Sequence, residues 1–166
     1  HQRPARRAHE SLWRIAPLWR DEIIAPAHPV TAARVAASPI ASLTWVALDL
    51  ETTGLDPAKD EVIEVGAVKY RGAQEIGVMH TLVSPGRPVS AFIQALTGIT
   101  NEALVGAPAF PAIAEKLQTF LGTAPVVGHN IAFDMAFLRR RGVQALGPAY
   151  DTFDLASFLL SRQPSY

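Results

Sequence analysis

The alternation of apolar and polar residues over residues 44–166 predicts a regular succession of strands and helices. Three runs rich in Val, Ile and Leu come first, and the pair Arg71-Gly72 between the second and the third is typical of a hairpin turn. Apolar residues at helical spacing follow, as in Ile113, Leu117 and Leu121. The pattern predicts strands at 43–51, 62–70, 75–83 and 125–128, and helices at 91–96, 101–104, 110–121, 131–141 and 152–161.

The order of these elements predicts the fold class. A meander of three antiparallel strands followed by alternating helices and strands is typical of a mixed α/β sheet with helices on both faces. At the last helix, Asp151 is a good N-cap, and Asp154 is favourable in the first turn, close to the positive end of the helix dipole. We therefore expect one α/β domain over residues 44–166.

Residues 1–43 differ in composition from the rest of the chain. They are rich in Ala, Pro and Arg, and several prolines interrupt any long element. Trp13 and Trp19 lie in a short predicted helical stretch, and we expect both rings to pack against the domain. We interpret residues 1–43 as an N-terminal extension. Because the chain begins with His1 rather than Met, we also expect it to be processed, tagged or part of a longer protein.

Composition and charge narrow the classes of function. The 166 residues contain no cysteine, which excludes disulfides, thiolate zinc sites and cysteine nucleophiles. No apolar run reaches the roughly 18 residues of a spanning helix, and the apolar region of a signal peptide is absent, so we expect a cytoplasmic protein without a membrane partner. Residues 44–166 carry nine basic and twelve acidic residues, which argues against a basic protein that coats nucleic acid. An enzyme that meets phosphates through metal ions stays open, because the metals reverse the local charge.

Two carboxylates end the first predicted strand, in the segment Asp49-Leu50-Glu51-Thr52-Thr53-Gly54. Since the side chains of a strand alternate between faces, Asp49 and Glu51 project from the same face. Two like charges at the border of a core destabilise the fold unless a cation lies between them, and a hard divalent cation with oxygen ligands suits this role. Gly54 then lets the backbone approach a ligand closely. The segment is typical of a metal-dependent phosphoryl-transfer site.

A third carboxylate, Asp134, lies on a predicted helix that follows a strand ending at Gly128. Its neighbours Phe133 and Met135 are apolar, and a carboxylate in such surroundings needs a partner. Taken alone, Asp134 is better explained by a solvated helix face or by a salt bridge to one of the arginines that follow. Together with Asp49 and Glu51, the functional interpretation is favoured.

These segments resemble the motifs of the DEDD superfamily of 3′–5′ exonucleases, in particular the branch of the proofreading epsilon subunit of bacterial DNA polymerase III. Residues 49–55 match the first motif, and Gly128-His129-Asn130 through Asp134 match the second. Between them, Leu96-Thr97-Gly98-Ile99-Thr100 resembles the substrate-contacting loop, where many members have His at the position of Thr97. The resemblance covers about residues 44–166 and implies a ribonuclease H-like fold.

The resemblance also implies the activity and the residues that carry it. It implies hydrolysis of the terminal phosphodiester at a single-stranded 3′ end, of DNA rather than RNA, with two Mg²⁺ or Mn²⁺ ions. The role would be proofreading or repair, with a DNA polymerase subunit or a fused domain as one option for a partner. Asp49, Glu51 and Asp134 would be catalytic and would bind the metals. The residues implied to hold the terminal nucleotide are Thr52, Gly54, Leu55, Leu96, Thr97, Asn130 and Phe133.

The sequence departs from the family at its third motif, a His followed five residues later by an Asp. In the family, this His is the general base and this Asp completes the metal site. The spacing occurs here only at His129 and Asp134, which already belong to the second motif. We therefore expect a C-terminally truncated chain with an incomplete site and weak or absent nuclease activity, taken from an active parent protein.

Three alternatives stay open. The chain could be an exonuclease fold without catalysis that serves as an interaction module, or it could act on RNA. A phosphatase of the haloacid-dehalogenase type also places carboxylates two residues apart after a strand. Glu51 and the lack of a matching downstream Lys disfavour this last class.

Several other polar or aromatic residues near the motifs have simpler explanations. Asn130 is explained equally well as a helix-entry cap or as a nucleotide contact, and Phe133 as a core residue or as a ring that stacks on a base. We expect His129 to hold its loop through hydrogen bonds and His80 to be a packed or edge histidine. The arginines at 139–141 complement the dipole at the helix C-terminus, and binding of phosphate is the lesser option.

Overall fold

The computed structural model describes residues 42–159, which form one sheet and four helices. The strands are Thr44–Thr52 (β1), Val62–Arg71 (β2), Gln74–Leu82 (β3), Val126–Gly128 (β4) and Ala149–Asp151 (β5). The helices are Ala91–Thr97 (α1), Phe110–Leu121 (α2), Ile131–Arg140 (α3) and Thr152–Leu159 (α4). Residues 1–41 and 160–166, with Trp13, Trp19 and nearly all of the predicted extension, lie outside the described residues.

The five strands lie in the order β3-β2-β1-β4-β5. β1 and β3 both pair with β2 in antiparallel fashion, whereas β4 pairs in parallel with β1 and β5 in parallel with β4. The sheet is therefore mixed, as the sequence predicted. The parallel arrangement brings the carboxyl ends of β1, β4 and β5 to one edge of the sheet.

The core occupies the face of β1 that does not carry the acidic residues. Val46, Leu48 and Leu50 are buried in a cluster that includes Leu117 of α2 and Phe137 of α3. The alternation of a strand places Asp49 and Glu51 on the opposite face, and both are only partly buried. Packing against the helices thus fixes β1 while the two carboxylates stay outside the core.

A register irregularity lies at the end of β1. Glu51 pairs with Glu64, but the next residue, Thr52, pairs with Val62, so that Ile63 of β2 is the extra residue. An extra residue of this kind bends a strand and ends regular pairing. Ile63 is fully buried and belongs to a second, smaller apolar cluster with residues of α1 and the following turns. Regular pairing of β1 therefore ends at Glu51, and β1 itself ends one residue later at Thr52.

The predicted elements agree with the structure within two residues, with two exceptions, and the predicted end of the last helix at residue 161 lies outside the described residues. Residues 101–104 are successive turns and not a helix, because the N–H of Ala103 bonds the Thr100 hydroxyl at 3.2 Å and the N–H of Val105 bonds the Glu102 carbonyl at 3.2 Å, in place of a helical ladder. The short strand β5 was not predicted, since its residues Ala149 and Tyr150 are exposed and only pairing with β4 defines it. No helix in the described part of the chain is long and apolar enough to cross a membrane.

Candidate active site

A buried hydrogen bond places Asp134 beside the two carboxylates of β1. Asp134 lies in the first turn of α3 with 3% of its surface exposed, and its Oδ1 accepts a hydrogen bond of 2.9 Å from the backbone N–H of Leu50. Leu50 is the residue between Asp49 and Glu51 in β1. The structure therefore brings the three predicted catalytic residues together at one end of β1.

The electrostatics of the three carboxylates reflect this proximity. Burial, together with the charges of Asp49 and Glu64, raises the pKa of Glu51 to about 7. Burial also raises the pKa of Asp134 to about 7, with the charge of Asp49 as the next cause, although the bond from Leu50 acts in the opposite direction. The pKa of Asp49 is raised by burial and by Glu64, and His129 partly offsets this. The folded chain thus holds negative charges that repel one another.

The donor chemistry of this cluster fits a hard divalent cation. All the donors are carboxylate oxygens, which Mg²⁺ and Mn²⁺ prefer. Within residues 42–159, no salt bridge with Lys, Arg or His reaches Asp49, Glu51 or Asp134. No group of three or more His, Asp or Glu side chains in that range is arranged as a ready-made metal cage. The site therefore has the ligand chemistry for a metal, and the side chains would need to reorient to hold it.

Glu64 is a further acidic residue at this site, and sequence reasoning missed it. It lies on β2, directly opposite Glu51 in the β1–β2 pairing, and its charge raises the pKa of both Asp49 and Glu51. A charged residue inside the apolar run Val62-Ile63-Glu64-Val65 was the signal that could have revealed it. Its place beside the site depends on strand register, which the sequence pattern alone does not give.

The loop after β1 is held by side-chain hydrogen bonds and presents Leu55 to solvent. Asp60 accepts hydrogen bonds from Thr53 Oγ1 at 3.1 Å and from the backbone of Asp56 at 3.0 Å. A Cβ atom at Gly54 would collide with the Asp60 carboxylate, so a larger residue here would displace that carboxylate from its hydrogen bonds. Leu55 is 84% exposed and free to contact a ligand.

The side chain of Thr52, predicted to contact substrate, is used within the protein. Thr52 is buried, and its hydroxyl donates a hydrogen bond of 2.6 Å to the carbonyl oxygen of Gly54. Its side chain follows Leu50 on the core face of β1 because two residues separate them. Any contact of Thr52 with a nucleotide would therefore have to come from its backbone.

The predicted substrate loop at the end of α1 has one exposed side chain and one that bonds within the protein. Leu96 is 69% exposed, although it is apolar. Thr97 bonds within its own turn, where its hydroxyl donates to the carbonyl of Ile93 at 2.9 Å and accepts from the N–H of Ile99 at 3.1 Å. Gly98 ends the helix in the left-handed conformation with φ of 75°. Leu96 is thus available to a ligand, whereas Thr97 stabilises the loop.

Asn130 directly precedes α3, but its side chain does not cap the helix, so of the two explanations drawn from the sequence the side-chain cap does not hold. Its backbone is left-handed, with φ of 52°, and its side chain makes no capping hydrogen bond. The cap comes from Asp151 at the end of β5, whose carboxylate accepts from the N–H groups of Asn130 and Ile131 at 3.1 and 3.0 Å. Asp151 also accepts from Phe153 N–H at 2.8 Å, in line with the predicted N-cap of α4. The exposed Asn130 side chain stays a predicted nucleotide contact.

The remaining predicted residues lie around these elements. His129 Nδ1 is 3.4 Å from the hydroxyl of Thr152, and His80 Nε2 is 2.5 Å from Glu64 Oε1. Phe133 packs against the core and the ring of Phe137, with centroids 4.8 Å apart. This placement supports its core interpretation, and a contact with a base stays a prediction.

The three arginines at the end of α3 separate into two exposed residues and one largely buried one. Arg139 and Arg140 are exposed in the last turn, whereas Arg141 donates to Glu61 Oε2 at 2.9 Å and to the backbone carbonyl of Asp60. Arg141 therefore ties α3 to the loop after β1 and is not free to bind a phosphate.

The model of the RNase_T exonuclease family matches residues 46–156, which include all of the carboxylates described above. The chain belongs to this exonuclease family. Its membership decides against the phosphatase alternative and confirms the family predicted from the first two motifs.

Relatives of this exonuclease domain include much larger proteins. A DNA polymerase III of the PolC type from Thermotoga maritima is 42% identical over 122 residues, which are 70% of this chain and 9% of that protein. A DNA polymerase III epsilon-like protein from Rhodobacter capsulatus is 38% identical over 130 residues, 76% of this chain and 18% of that protein. The chain thus spans less than a fifth of the length of these relatives.

Solved structures of exonucleases share its fold. A structure of Exonuclease X in complex with 5′ overhanging duplex DNA has a TM-score of 0.59 and 25% identity, covering 74% of this chain and 67% of the other. Exonuclease I from E. coli in complex with a 5cy-dT13 oligonucleotide has a TM-score of 0.63 and 19% identity, covering 75% of this chain and 31% of the other. The ribonuclease H-like fold expected from the sequence is confirmed.

Proposed function

We propose that this exonuclease domain acts on the 3′ end of single-stranded DNA through a pair of divalent metal ions held by Asp49, Glu51 and Asp134. The observation that carries the proposal is the convergence of these three carboxylates at the end of β1, where no basic side chain of the described residues pairs with them. Membership of the exonuclease family and the DNA polymerase III relatives support the reaction and the substrate class.

Each residue has a separate part in this function. Two Mg²⁺ or Mn²⁺ ions would activate a water molecule and stabilise the departing 3′ oxygen. Asp49 and Glu51 would hold the metals from one face of β1, and the N–H of Leu50 fixes one oxygen of Asp134 beside them. Leu55 and Leu96, both exposed, contact the terminal nucleotide. A scissile phosphate would then lie next to the carboxyl end of β1.

The general base is not assigned to a residue of this chain. The His and Asp spacing of the third motif occurs only at His129 and Asp134, and Asp134 accepts the Leu50 hydrogen bond as part of the second motif. His129 is exposed and lies 3.4 Å from Thr152. The 166 residues are therefore expected to bind metal and a DNA 3′ end, and to cleave it weakly or not at all.

The test compares the chain with a version that carries a His-x4-Asp motif C-terminal to residue 166. Both are incubated with 5′-labelled single-stranded DNA and Mg²⁺ or Mn²⁺, so that shortening from the 3′ end gives a ladder of labelled products. We expect the ladder from the longer version and little or none from the chain alone. Asp49→Ala in the longer version should abolish the ladder while its circular dichroism spectrum is retained. Undiminished digestion by Asp49→Ala would exclude this site as the nuclease centre.

The same assay distinguishes the alternative roles. An RNA oligonucleotide of the same sequence should be cut more slowly than DNA, and a preference for RNA would assign the domain to the exoribonucleases. No cleavage in the longer version, combined with retained binding to a polymerase fragment, would favour an interaction module. We propose a DNA polymerase subunit or a fused domain as the partner because the relatives are a DNA polymerase III and a DNA polymerase III subunit epsilon-like protein. Replication relatives also support a cytoplasmic location.

A further inference from the structure

The cross-strand position of Glu64 makes it a neighbour of the proposed metal ligands. Glu64 on β2 pairs with Glu51 on β1, and directly opposite residues of an antiparallel pair project from the same face with Cβ atoms about 4.5–5.5 Å apart. The Glu64 side chain is only 13% exposed. Its charge raises the pKa of Asp49 and of Glu51. Glu64 therefore adds a negative charge at the same face of the sheet.

His80 on β3 holds one oxygen of this carboxylate. His80 Nε2 lies 2.5 Å from Glu64 Oε1. His80 pairs with Gly66, and Gly66 pairs with Asp49, so these three residues lie in one row across the sheet. Because the middle residue is a glycine, the row has no side chain between His80 and Asp49. Among residues 42–159, no hydrogen bond or ion pair engages Glu64 Oε2. One oxygen of Glu64 is fixed, and the other is free on the face that carries Asp49 and Glu51.

A purely structural role explains this arrangement poorly. A contact between two partly exposed side chains adds little to the stability of a fold, and like charges directly opposite each other in a sheet are destabilising. Placing Glu64 opposite Glu51 therefore brings a repulsion that the bond to His80 offsets only in part. A cation at the face that the two carboxylates share would turn that repulsion into attraction.

We propose that Glu64 is a further residue of the metal site, which increases its affinity for divalent cations, and that His80 positions the Glu64 carboxylate for this role. The inference rests on the proposed function, because it takes Asp49 and Glu51 as the residues that hold the metal. A carboxylate oriented by a second hydrogen-bonding residue is a common support of metal ligands, and its loss typically lowers metal affinity by about 10–100-fold.

Titration of Mn²⁺ into the metal-free chain, followed by calorimetry, tests the inference without any nuclease assay. Glu64→Gln keeps the size of the side chain and removes its charge, and we expect it to weaken Mn²⁺ binding by about tenfold or more. Glu75→Gln is the matched control, since Glu75 is exposed on β3 and pairs with Tyr70. Glu75→Gln should leave the Mn²⁺ affinity within about twofold of the wild type, because salt screens the effect of an exposed charge.

His80 provides the independent variant. His80→Ala should also weaken Mn²⁺ binding, and His80→Gln, which can donate to the same carboxylate, should restore part of it. The melting temperature in EDTA gives a second readout. Removal of the Glu64 charge should leave it unchanged or raise it, because the repulsion from Glu51 is relieved. A purely structural role for Glu64 predicts the opposite pattern, with a lower melting temperature and unchanged Mn²⁺ affinity.

The outcomes separate this inference from the proposed function. If the wild-type chain binds Mn²⁺, Asp49→Ala abolishes binding and Glu64→Gln binds as tightly as the wild type, the role of Glu64 is overturned and the metal site stands. If wild-type binding is absent or insensitive to Asp49→Ala, the proposed function fails first and the role of Glu64 fails with it. Weaker Mn²⁺ binding by Glu64→Gln and by His80→Ala, with unchanged binding by Glu75→Gln, supports the metal site and the role of Glu64 in it.

Discussion

The carboxylate of Asp134 accepts a hydrogen bond of 2.9 Å from the backbone N–H of Leu50, although 84 residues separate them in the sequence. β4 pairs with β1 only at Val46 and Ala47, so the N–H of Leu50 lies beyond the last partner that β4 offers. A buried N–H without a partner is costly, and Asp134 satisfies it. One bond therefore completes the backbone pairing of β1 and fixes the second motif beside the first.

Two substitutions at Asp134 should separate these effects. Asp134→Asn keeps an oxygen acceptor for Leu50 and removes the charge, so we expect the metal-free protein to be as stable as the wild type or more stable. Asp134→Ala leaves the N–H of Leu50 unpaired and should be less stable than Asp134→Asn by about 1–3 kcal/mol. Urea denaturation in EDTA measures the free energy of unfolding of both variants. Equal stability of the two variants would show that the hydrogen bond contributes nothing.

The raised pKa values of Glu51 and Asp134 predict a pH dependence of stability in the metal-free protein. Both pKa values lie at about 7 in the folded chain, above the ordinary values of 4.5 and 3.8. Between these limits the folded chain binds protons that the unfolded chain has released, so the free energy of unfolding falls as pH rises from about 4 to about 7. Denaturation in EDTA at several pH values across this window should show the fall.

The double variant Glu51→Gln with Asp134→Asn is the control for this pH dependence. It lacks both titrating groups, so the decline with rising pH should become shallower. Saturating Mg²⁺ should also make the decline of the free energy of unfolding with pH shallower in the wild type, because bound metal favours the charged carboxylates. A slope that is identical in the wild type and the double variant would assign the pH dependence to other groups.

The sequence predicted the fold and the three carboxylates because both depend on local patterns. Alternation in β1 places Asp49 and Glu51 on one face, and helical spacing gives α2 the bounds Phe110–Leu121. The strand β5 escaped prediction because three largely exposed residues carry no apolar pattern of their own. Its position depends on pairing with β4, which is a long-range contact.

The finer features of the site depend on register and on side-chain partners. Glu64 enters the site only because it lies opposite Glu51, and a shift by one residue would turn it to the other face. The sequence pattern likewise does not show which of the three arginines at 139–141 is largely buried. Arg141 packs over Phe110 and Phe137, whose positions are fixed by tertiary contacts.

Arg141 should be a major stabilising residue outside the acidic cluster. Its guanidinium donates to Glu61 and to the backbone carbonyls of Phe137 and Asp60. Arg141→Ala leaves these acceptors without a partner and should lower the free energy of unfolding by about 2–5 kcal/mol. Arg140→Ala removes an exposed arginine and should change it by no more than about 0.5 kcal/mol. Comparable losses in the two variants, measured by urea denaturation, would contradict the bridging role of Arg141.

Asp151 should stabilise the start of α3 more than its position at the edge of the sheet suggests. Its carboxylate accepts from the N–H groups of Asn130, Ile131 and Phe153, and these bonds hold its pKa below the ordinary value. Asp151→Ala removes the acceptor for all three N–H groups and should lower the free energy of unfolding, as the loss of a helix cap does. Asp154→Ala, in the first turn of α4, removes only a favourable charge near the dipole and should cost less than about 1 kcal/mol. A smaller loss at Asp151 than at Asp154 would refute the double cap.

Leu55 and Leu96 offer a test of the substrate surface that leaves the metal ligands intact. Both side chains are exposed, at 84% and 69%, so truncation should change stability little. If they contact the terminal nucleotide, Leu55→Ala and Leu96→Ala should each weaken binding of a single-stranded oligonucleotide by about 1–2 kcal/mol, or roughly 5–30-fold, through lost apolar contact.

Fluorescence anisotropy with a 5′-labelled oligonucleotide and Mn²⁺ measures this loss. Leu146→Ala is the matched control, since Leu146 is 67% exposed and precedes the amino end of β5. The parallel pairing of β1, β4 and β5 places that end opposite the edge where Glu51 lies, so Leu146 should not touch the DNA. A blocked 3′ hydroxyl on the oligonucleotide should reduce the effect of both leucines if they hold the terminus. Equal weakening by all three substitutions would mean that the losses come from general surface changes and that Leu55 and Leu96 do not form the nucleotide site.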